Sequence, residues 1–257
     1  MSKFYKIIVA YDGTNYHGWQ EQPHNITVAT QLKKSFFNAF KKDVSIVGAS
    51  RTDAGVHALG QVARCKTDLD IDQQKIFNAW NYHLPNDIVI RSIEKVDPKT
   101  FHPLKNVTQK TYYYHVFLKR PLPFVSKYGW FWKFINKVDI EKFKKALQLF
   151  VGTHDFGSFV KIDKETSTEL TTERTIDSIK VEKLNKLNAL RITIKGKSFL
   201  HFQIRRMIGA ALDVAKNKEL SLDYIKNMLI SPKAQQCYVK ANGNGLCLRK
   251  IIYENHK

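Results

Sequence analysis

Long apolar runs are missing from this chain of 257 residues. No window approaches the roughly 18 consecutive apolar residues that a membrane-spanning helix needs. The N-terminal run Ile7-Ile8-Val9-Ala10 is also far too short for the apolar stretch of a secretory signal. These absences lead us to expect a cytoplasmic protein without membrane contact. Cysteine is scarce: Cys65, Cys237 and Cys247 are odd in number and dispersed, with no C-x-x-C pair to suggest a zinc site or a redox motif. They are expected to be small buried apolar residues. Nor is there a G-x-x-x-x-G-K-[ST] string to cradle the phosphates of a nucleotide.

Acidic residues are the next shortage, with 23 Asp+Glu against 42 Lys+Arg and a formal net charge of +19. Such an excess suits a polyanionic partner, because neutralising phosphates releases counterions. Only nine of the basic residues are arginine, so lysine drift in an AT-biased genome is a second reading. What the chain does have is apolar mass. Hydrophobic residues make up 43% and aromatics 12%, too much for a disordered chain. A chain of this length can bury roughly 70% of the surface its unfolded form exposes, which implies one or two globular domains.

Periodicity divides most of the sequence into strands and helices joined by short loops. Residues 4–11, rich in Ile, Val and Tyr and closed by Asp12-Gly13, read as a strand. Thr27 is placed to cap a helix whose apolar positions Val28, Leu32, Phe36 and Phe40 recur every four residues, with Lys33 and Lys34 on its other face. Residues 44–49, 61–65 and 88–93 read as further strands. The second half repeats the theme: a strand at 111–118, a helix capped by Asp139 with Ile140, Phe143, Leu147 and Phe150 inward, and strands at 175–182 and 189–195. A helix at 198–216, a short helix after Ser221 and a strand at 246–253 complete the series. The expected class is α+β.

Between the strands at 44–49 and 61–65 lies Gly48-Ala49-Ser50-Arg51-Thr52-Asp53-Ala54-Gly55-Val56-His57-Ala58, the densest cluster of small and polar residues. Small neighbours let a sugar or base approach the backbone, and a lone carboxylate such as Asp53 can serve as nucleophile or general base. The plainer role is an aspartate that stabilises its own turn by accepting from nearby N–H groups. Asp53 and His57 also have the spacing of two metal ligands, but Gly55 and the turn-like composition argue against the helix that would align them. His57 is expected to be a hydrogen-bonded structural residue of the loop.

The loop, as SRTDAGVHALGQV, resembles the signature of the tRNA pseudouridine synthase A family, whose catalytic aspartate takes the position of Asp53. Other strings agree in order and spacing: YDGTNYHGWQEQ at 11–22, LPNDI at 84–88, FHP at 101–103, KTYYY at 110–114, GTHDFGSF at 152–159, TERTI at 172–176, FLHFQIRRMIG at 199–209 and GLCL at 245–248. The resemblance spans nearly the whole chain. It implies the pseudouridine synthase fold: two similar α/β lobes sharing a mixed, largely antiparallel sheet with a central catalytic cleft. Residues 1–105 would carry the aspartate loop and 106–257 would complete the RNA-binding cleft. The implied activity is isomerisation of uridine to pseudouridine in the anticodon arm of tRNA, at positions 38, 39 and 40, by a homodimer. That reaction detaches uracil from ribose C1′, turns the base and rejoins it through carbon. Nothing enters or leaves overall, so no cofactor and no metal is called for.

The first requirement of this chemistry is an ionised aspartate. Burial favours its protonation, whereas a guanidinium within about 4–6 Å lowers a carboxyl pKa by roughly 1–3 units. The resemblance matches the family's arginine to Arg205, whose planar fork holds and aims a carboxylate better than lysine. From the sequence alone, Arg205 reads rather as a solvated helix residue beside Arg206. The second requirement is a uridine flipped out of its stack, at a cost of a few kcal/mol. Tyr112 matches the family's active-site tyrosine and offers a ring for the base to stack on, although a core role beside Tyr114 is also open. Arg51 is expected to fill the space the base vacates or to grip a phosphate, and Leu246 to line the pocket floor or the core. Asp53 would attack C1′ or the base. Ser50 departs from the family's usual Gly, Leu104 from an Arg after the Phe-His pair, and Ala241-Asn242-Gly243-Asn244 from Ala-Pro-Ala. These departures bear on substrate contacts more than on the chemistry. Two rival functions remain: a noncatalytic RNA-binding protein with the same basic, aromatic surface, and a metal-dependent phosphoesterase built on Asp53 and His57.

Overall fold

The computed structural model describes residues 2–161, 171–233 and 239–254. In chain order the strands are β1 (Lys3–Tyr11), β2 (Ser45–Gly48), β3 (His57–Thr67), β4 (Ile88–Lys95), β5 (Val107–Phe117), β6 (Trp130–Phe131), β7 (Gly152–Asp155), β8 (Glu173–Leu184), β9 (Ala189–Gly196) and β10 (Leu246–Tyr253). The helices are α1 (Val28–Phe40), α2 (Gln73–Tyr82), α3 (Ile140–Gln148), α4 (Gln203–Lys216) and α5 (Asp223–Ile230). Contacts divide the chain into one unit of Met1–Lys110 with Cys247–Lys257 and another of Thr111–Leu246. The expected division at 105/106 leaves the C-terminal strand in the second lobe. In the structure that strand belongs with the first unit, because β10 pairs in parallel with β3, Cys247 opposite His57 and Leu248 opposite Ala58.

In the first unit the strand order is β4-β1-β3-β10, with β2 also on β3. The pairs β1–β3, β1–β4 and β2–β3 are antiparallel. Tyr5, Ile7, Val9 and Tyr11 of β1 are buried in alternation, as a strand with one covered face requires. Thr27 caps α1 reciprocally: its Oγ1 accepts from Thr30 N at 3.3 Å, and Thr30 Oγ1 accepts from Thr27 N at 3.0 Å. Val28, Leu32 and Phe36 are buried as expected, while Phe40 is half-exposed. Helix α2 was not expected. Asp72 caps it, but only Ile76 and Trp80 are buried, a single apolar pair too sparse to show a period. Trp80 anchors it by donating to Leu32 O and to Ser35 Oγ, each at 3.0 Å.

The second unit has the strand order β5-β9-β8-β7, with β6 in parallel on β5 and antiparallel β7–β8 and β8–β9 pairs. The class is α+β with mixed, mainly antiparallel pairing, as expected. Leu190, Ile192 and Ile194 of β9 are buried in alternation, and α3 packs on α4. Helix α4 begins at Gln203, not at 198, because Phe202 has a left-handed backbone, φ 65°, that cannot continue a helix. Its residues are all buried except Asp213 and Lys216. Cys65 is buried and Cys247 half-buried, and both are free thiols; Cys237 lies outside the described residues. Among the described residues no helix is long and apolar enough to cross a membrane.

Candidate active site

Asp53 sits half-buried on the connection from β2 to β3, between buried Thr52 and exposed Ala54, with Arg51 exposed. Pairing with β10 draws the start of β3 back from the expected 61 to His57, so the connection is residues 49–56. Val56 N donates to Asp53 O at 3.2 Å, and Gly55, at φ 74°, supplies the left-handed position of that turn. The turn is closed by backbone atoms.

The segment 11–19 clasps this loop. Trp19 N donates to Thr52 O and Gly55 N to Tyr16 O, each at 3.1 Å, and the Tyr11 and Thr52 hydroxyls share a 2.7 Å hydrogen bond. Two glycines permit the approach: a Cβ on Gly13 would lie 2.0 Å from Val56 O, and one on Gly18 would lie 2.4 Å from Thr52 O. Gly18 also has φ 91°, which an L side chain rarely adopts. The YDGTNYHGW and SRTDAGVH strings are therefore two sides of one structure. Gly18→Ala should cost about 2–4 kcal/mol of stability through the backbone clash and the left-handed φ together. A urea unfolding midpoint unchanged from wild type would contradict that clash.

His57 is the first residue of β3 and not a loop residue. Its Nδ1 lies 3.0 Å from Gly13 N and 3.2 Å from Asp12 Oδ1. The two contacts ask opposite things of one nitrogen. Gly13 N can only donate and a carboxylate oxygen only accept, so Nδ1 can serve one of the two contacts at a time. Among the described residues no three His, Cys, Asp or Glu side chains are grouped to hold a metal ion.

Two side chains not singled out from the sequence grip the loop before Asp53. Lys110 Nζ donates to Ala49 O at 2.8 Å and to Ser50 Oγ at 3.2 Å, and Gln61 Nε2 donates to Ser50 O at 2.6 Å. Burial pulls the Lys110 pKa down to about 8. The available signal is a lysine within β5, at the head of the string KTYYY.

In the second unit Arg205 is buried in the first turn of α4, which removes the solvated-helix alternative. Its Nε donates to Ala241 O at 2.8 Å, Ala241 N donates to Arg205 O at 3.1 Å, and the guanidinium lies over the Phe202 ring at 5.0 Å. Lys240 Nζ is 4.1 Å from the centroid of the same ring. Tyr112 is buried with its ring edge-on to Phe199 at 5.2 Å. Tyr114, fully buried, donates to Asn242 O at 2.8 Å; burial drives its pKa up, and the charge of Arg205 opposes that rise. Leu246, the first residue of β10, is buried. The departing segment 241–244 thus holds Arg205 and Tyr114 through backbone atoms of Ala241 and Asn242, which side-chain changes leave in place. Of the other departures, Ser50 is buried and Leu104 is 60% exposed. Asp53 and Arg51 belong to the first unit, and Arg205, Tyr112 and Leu246 to the second.

A family model described as tRNA pseudouridine synthase matches residues 7–103 and 146–254. These ranges hold Asp53, Arg51, Arg205 and Leu246, while Tyr112 lies between them. The chain belongs to the tRNA pseudouridine synthase family. Within it, similar proteins carry the name tRNA pseudouridine synthase A. One from Protochlamydia amoebophila, designated A 1, is 36% identical over 253 residues, covering 98% of this chain and 96% of that protein. One from Thermodesulfovibrio yellowstonii is 35% identical over 259 residues, covering 96% and 98%. One from Thermoanaerobacter sp. is 36% identical over 247 residues, again covering 96% and 98%.

Proposed function

We propose that this enzyme isomerises uridine to pseudouridine in the anticodon arm of tRNA, at positions 38, 39 and 40, with Asp53 as its nucleophile. The observation that carries the reading is a half-buried carboxylate on a loop fixed by backbone bonds to the 11–19 segment, inside the residues that match the family. A loop so held fixes the backbone that carries the carboxylate, and such preorganisation is what attack on a flipped-out nucleoside demands. In the net reaction the N1–C1′ bond breaks, the C5–C1′ bond forms, and the proton lost from C5 is balanced by one gained at N1. Arg205, matched by the resemblance to the family's arginine, is the second catalytic residue. Tyr112 receives the extruded base, Leu246 lines the pocket beneath it, and Arg51 fills the gap left in the RNA or holds a neighbouring phosphate. The lysine-rich surface holds the tRNA backbone, the working form is a homodimer, and the compartment is the cytoplasm.

The test is to incubate the pure protein with an unmodified tRNA transcript, without nucleotide, and map pseudouridine by nucleotide position. Conversion at 38, 39 or 40 is expected. Bound but unmodified tRNA would return the protein to the noncatalytic RNA-binding class, and strand scission to the phosphoesterases. In the same assay Arg205→Lys should lose about 10–100-fold in rate, because an ammonium lacks the planar fork of a guanidinium. Unchanged turnover would remove Arg205 from the mechanism.

A further inference from the structure

Lys110 carries a cation to two neutral acceptors, Ala49 O at 2.8 Å and Ser50 Oγ at 3.2 Å. From β3, Gln61 Nε2 binds Ser50 O at 2.6 Å, and Ala49 N donates to Val62 O at 2.8 Å. Gln61 is fully buried, and among the described residues its Oε1 has no hydrogen-bond partner, so the amide is committed to Ser50 while its oxygen goes unpaired. Ser50 is thereby held at both its carbonyl and its hydroxyl, three residues before Asp53. Burying an ammonium against neutral groups is unfavourable, and an apolar side chain could fill the same stem space at lower cost. The arrangement is therefore poorly explained as a device for stability. What it does fix is the entry to the loop, at Ala49 and Ser50, residues that the bonds described above from the 11–19 segment do not reach.

We propose that Lys110 is a positioning residue for pseudouridine formation: with Ser50 as its second acceptor, it sets the direction from which Asp53 approaches the nucleoside. The inference rests on Asp53 being the nucleophile. An ångström of error in the position of a reacting group can cost about 100-fold in rate without touching substrate affinity.

The experiment compares Lys110→Met, Ser50→Ala, the double variant and Asp53→Asn, with enzyme in excess over tRNA transcript. Single-turnover rate, tRNA dissociation constant and thermal midpoint are read for each. Lys110→Met should slow the single turnover by about 10–100-fold, with tRNA affinity within about twofold and no fall in the midpoint. Ser50→Ala should slow it by about threefold, and the double variant should be no slower than Lys110→Met, because both single variants remove the same hydrogen bond. A merely structural role would instead lower the midpoint and the active fraction while leaving the rate per active enzyme unchanged. That result, wild-type rates in both single variants, or a double loss equal to the product of the single losses overturns the proposal. Should Lys110→Met fail to fold, Ser50→Ala decides, and a wild-type rate there refutes the clamp. Failure of the nucleophile assignment would show separately, as an active Asp53→Asn enzyme.

Discussion

Asp53→Asn is expected to lower the rate of pseudouridine formation by at least about three orders of magnitude, with tRNA affinity changed by no more than a few-fold. An amide has the volume of a carboxylate but neither its charge nor its nucleophilicity. Three bonds that hold the loop run between backbone atoms and survive the change: Val56 N, Trp19 N and Gly55 N all donate to backbone carbonyls. The substitution should therefore keep stability within about 1 kcal/mol of wild type. Affinity should survive because lysine contacts to phosphates dominate binding to nucleic acid. The measurement is tritium release from tRNA labelled at uridine C5, since that hydrogen leaves when C5 joins C1′. Release within tenfold of wild type would show that the carboxylate is not the nucleophile. Asp53→Ala gives a second arm, in which neither charge nor a substitute hydrogen-bonding group remains.

Legibility in the sequence followed how local each cause is. Strands β1 and β9 show their alternation because one face of each is buried, and α1 shows its cap because Thr27 and Thr30 are three residues apart. Helix α2 buries two side chains and left no period to read. The start of α4 was misjudged because the apolar spacing continues through Phe199 and Leu200, whereas the left-handed backbone at Phe202 leaves no mark in composition. The return of β10 to the first unit depends on a parallel pairing with a strand far away in sequence, which no short window contains. The site divides in the same way. Small residues around Asp53 announced a tight loop, since Gly55 is needed for the turn. The grip of Lys110 on Ala49 and Ser50, and that of Ala241 on Arg205, join residues tens of positions apart and became visible only in three dimensions.

Gly209→Ala should destabilise the protein by about 2–4 kcal/mol and slow pseudouridine formation about tenfold or more. Helix propensity alone gives the opposite sign, because alanine in the interior of α4 would gain about 1 kcal/mol over glycine. The added Cβ, however, would lie 1.8 Å from Val239 O and 3.2 Å from Val239 Cγ1. The first contact is with backbone, so the clash can be relieved only by moving the 239–242 segment off the helix. That segment is the one whose Ala241 accepts from Arg205 Nε and donates to Arg205 O, and whose Asn242 O receives the Tyr114 hydroxyl. A shift there takes the guanidinium with it, and the catalytic role proposed for Arg205 turns that packing clash into a loss of rate. Urea unfolding and single-turnover assays on the same preparation separate the two effects. A Gly209→Ala protein more stable than wild type would mean that propensity decides and that the segment does not lie against α4 at this point. A destabilised protein with full activity per folded molecule would mean that the segment packs there without aiming Arg205.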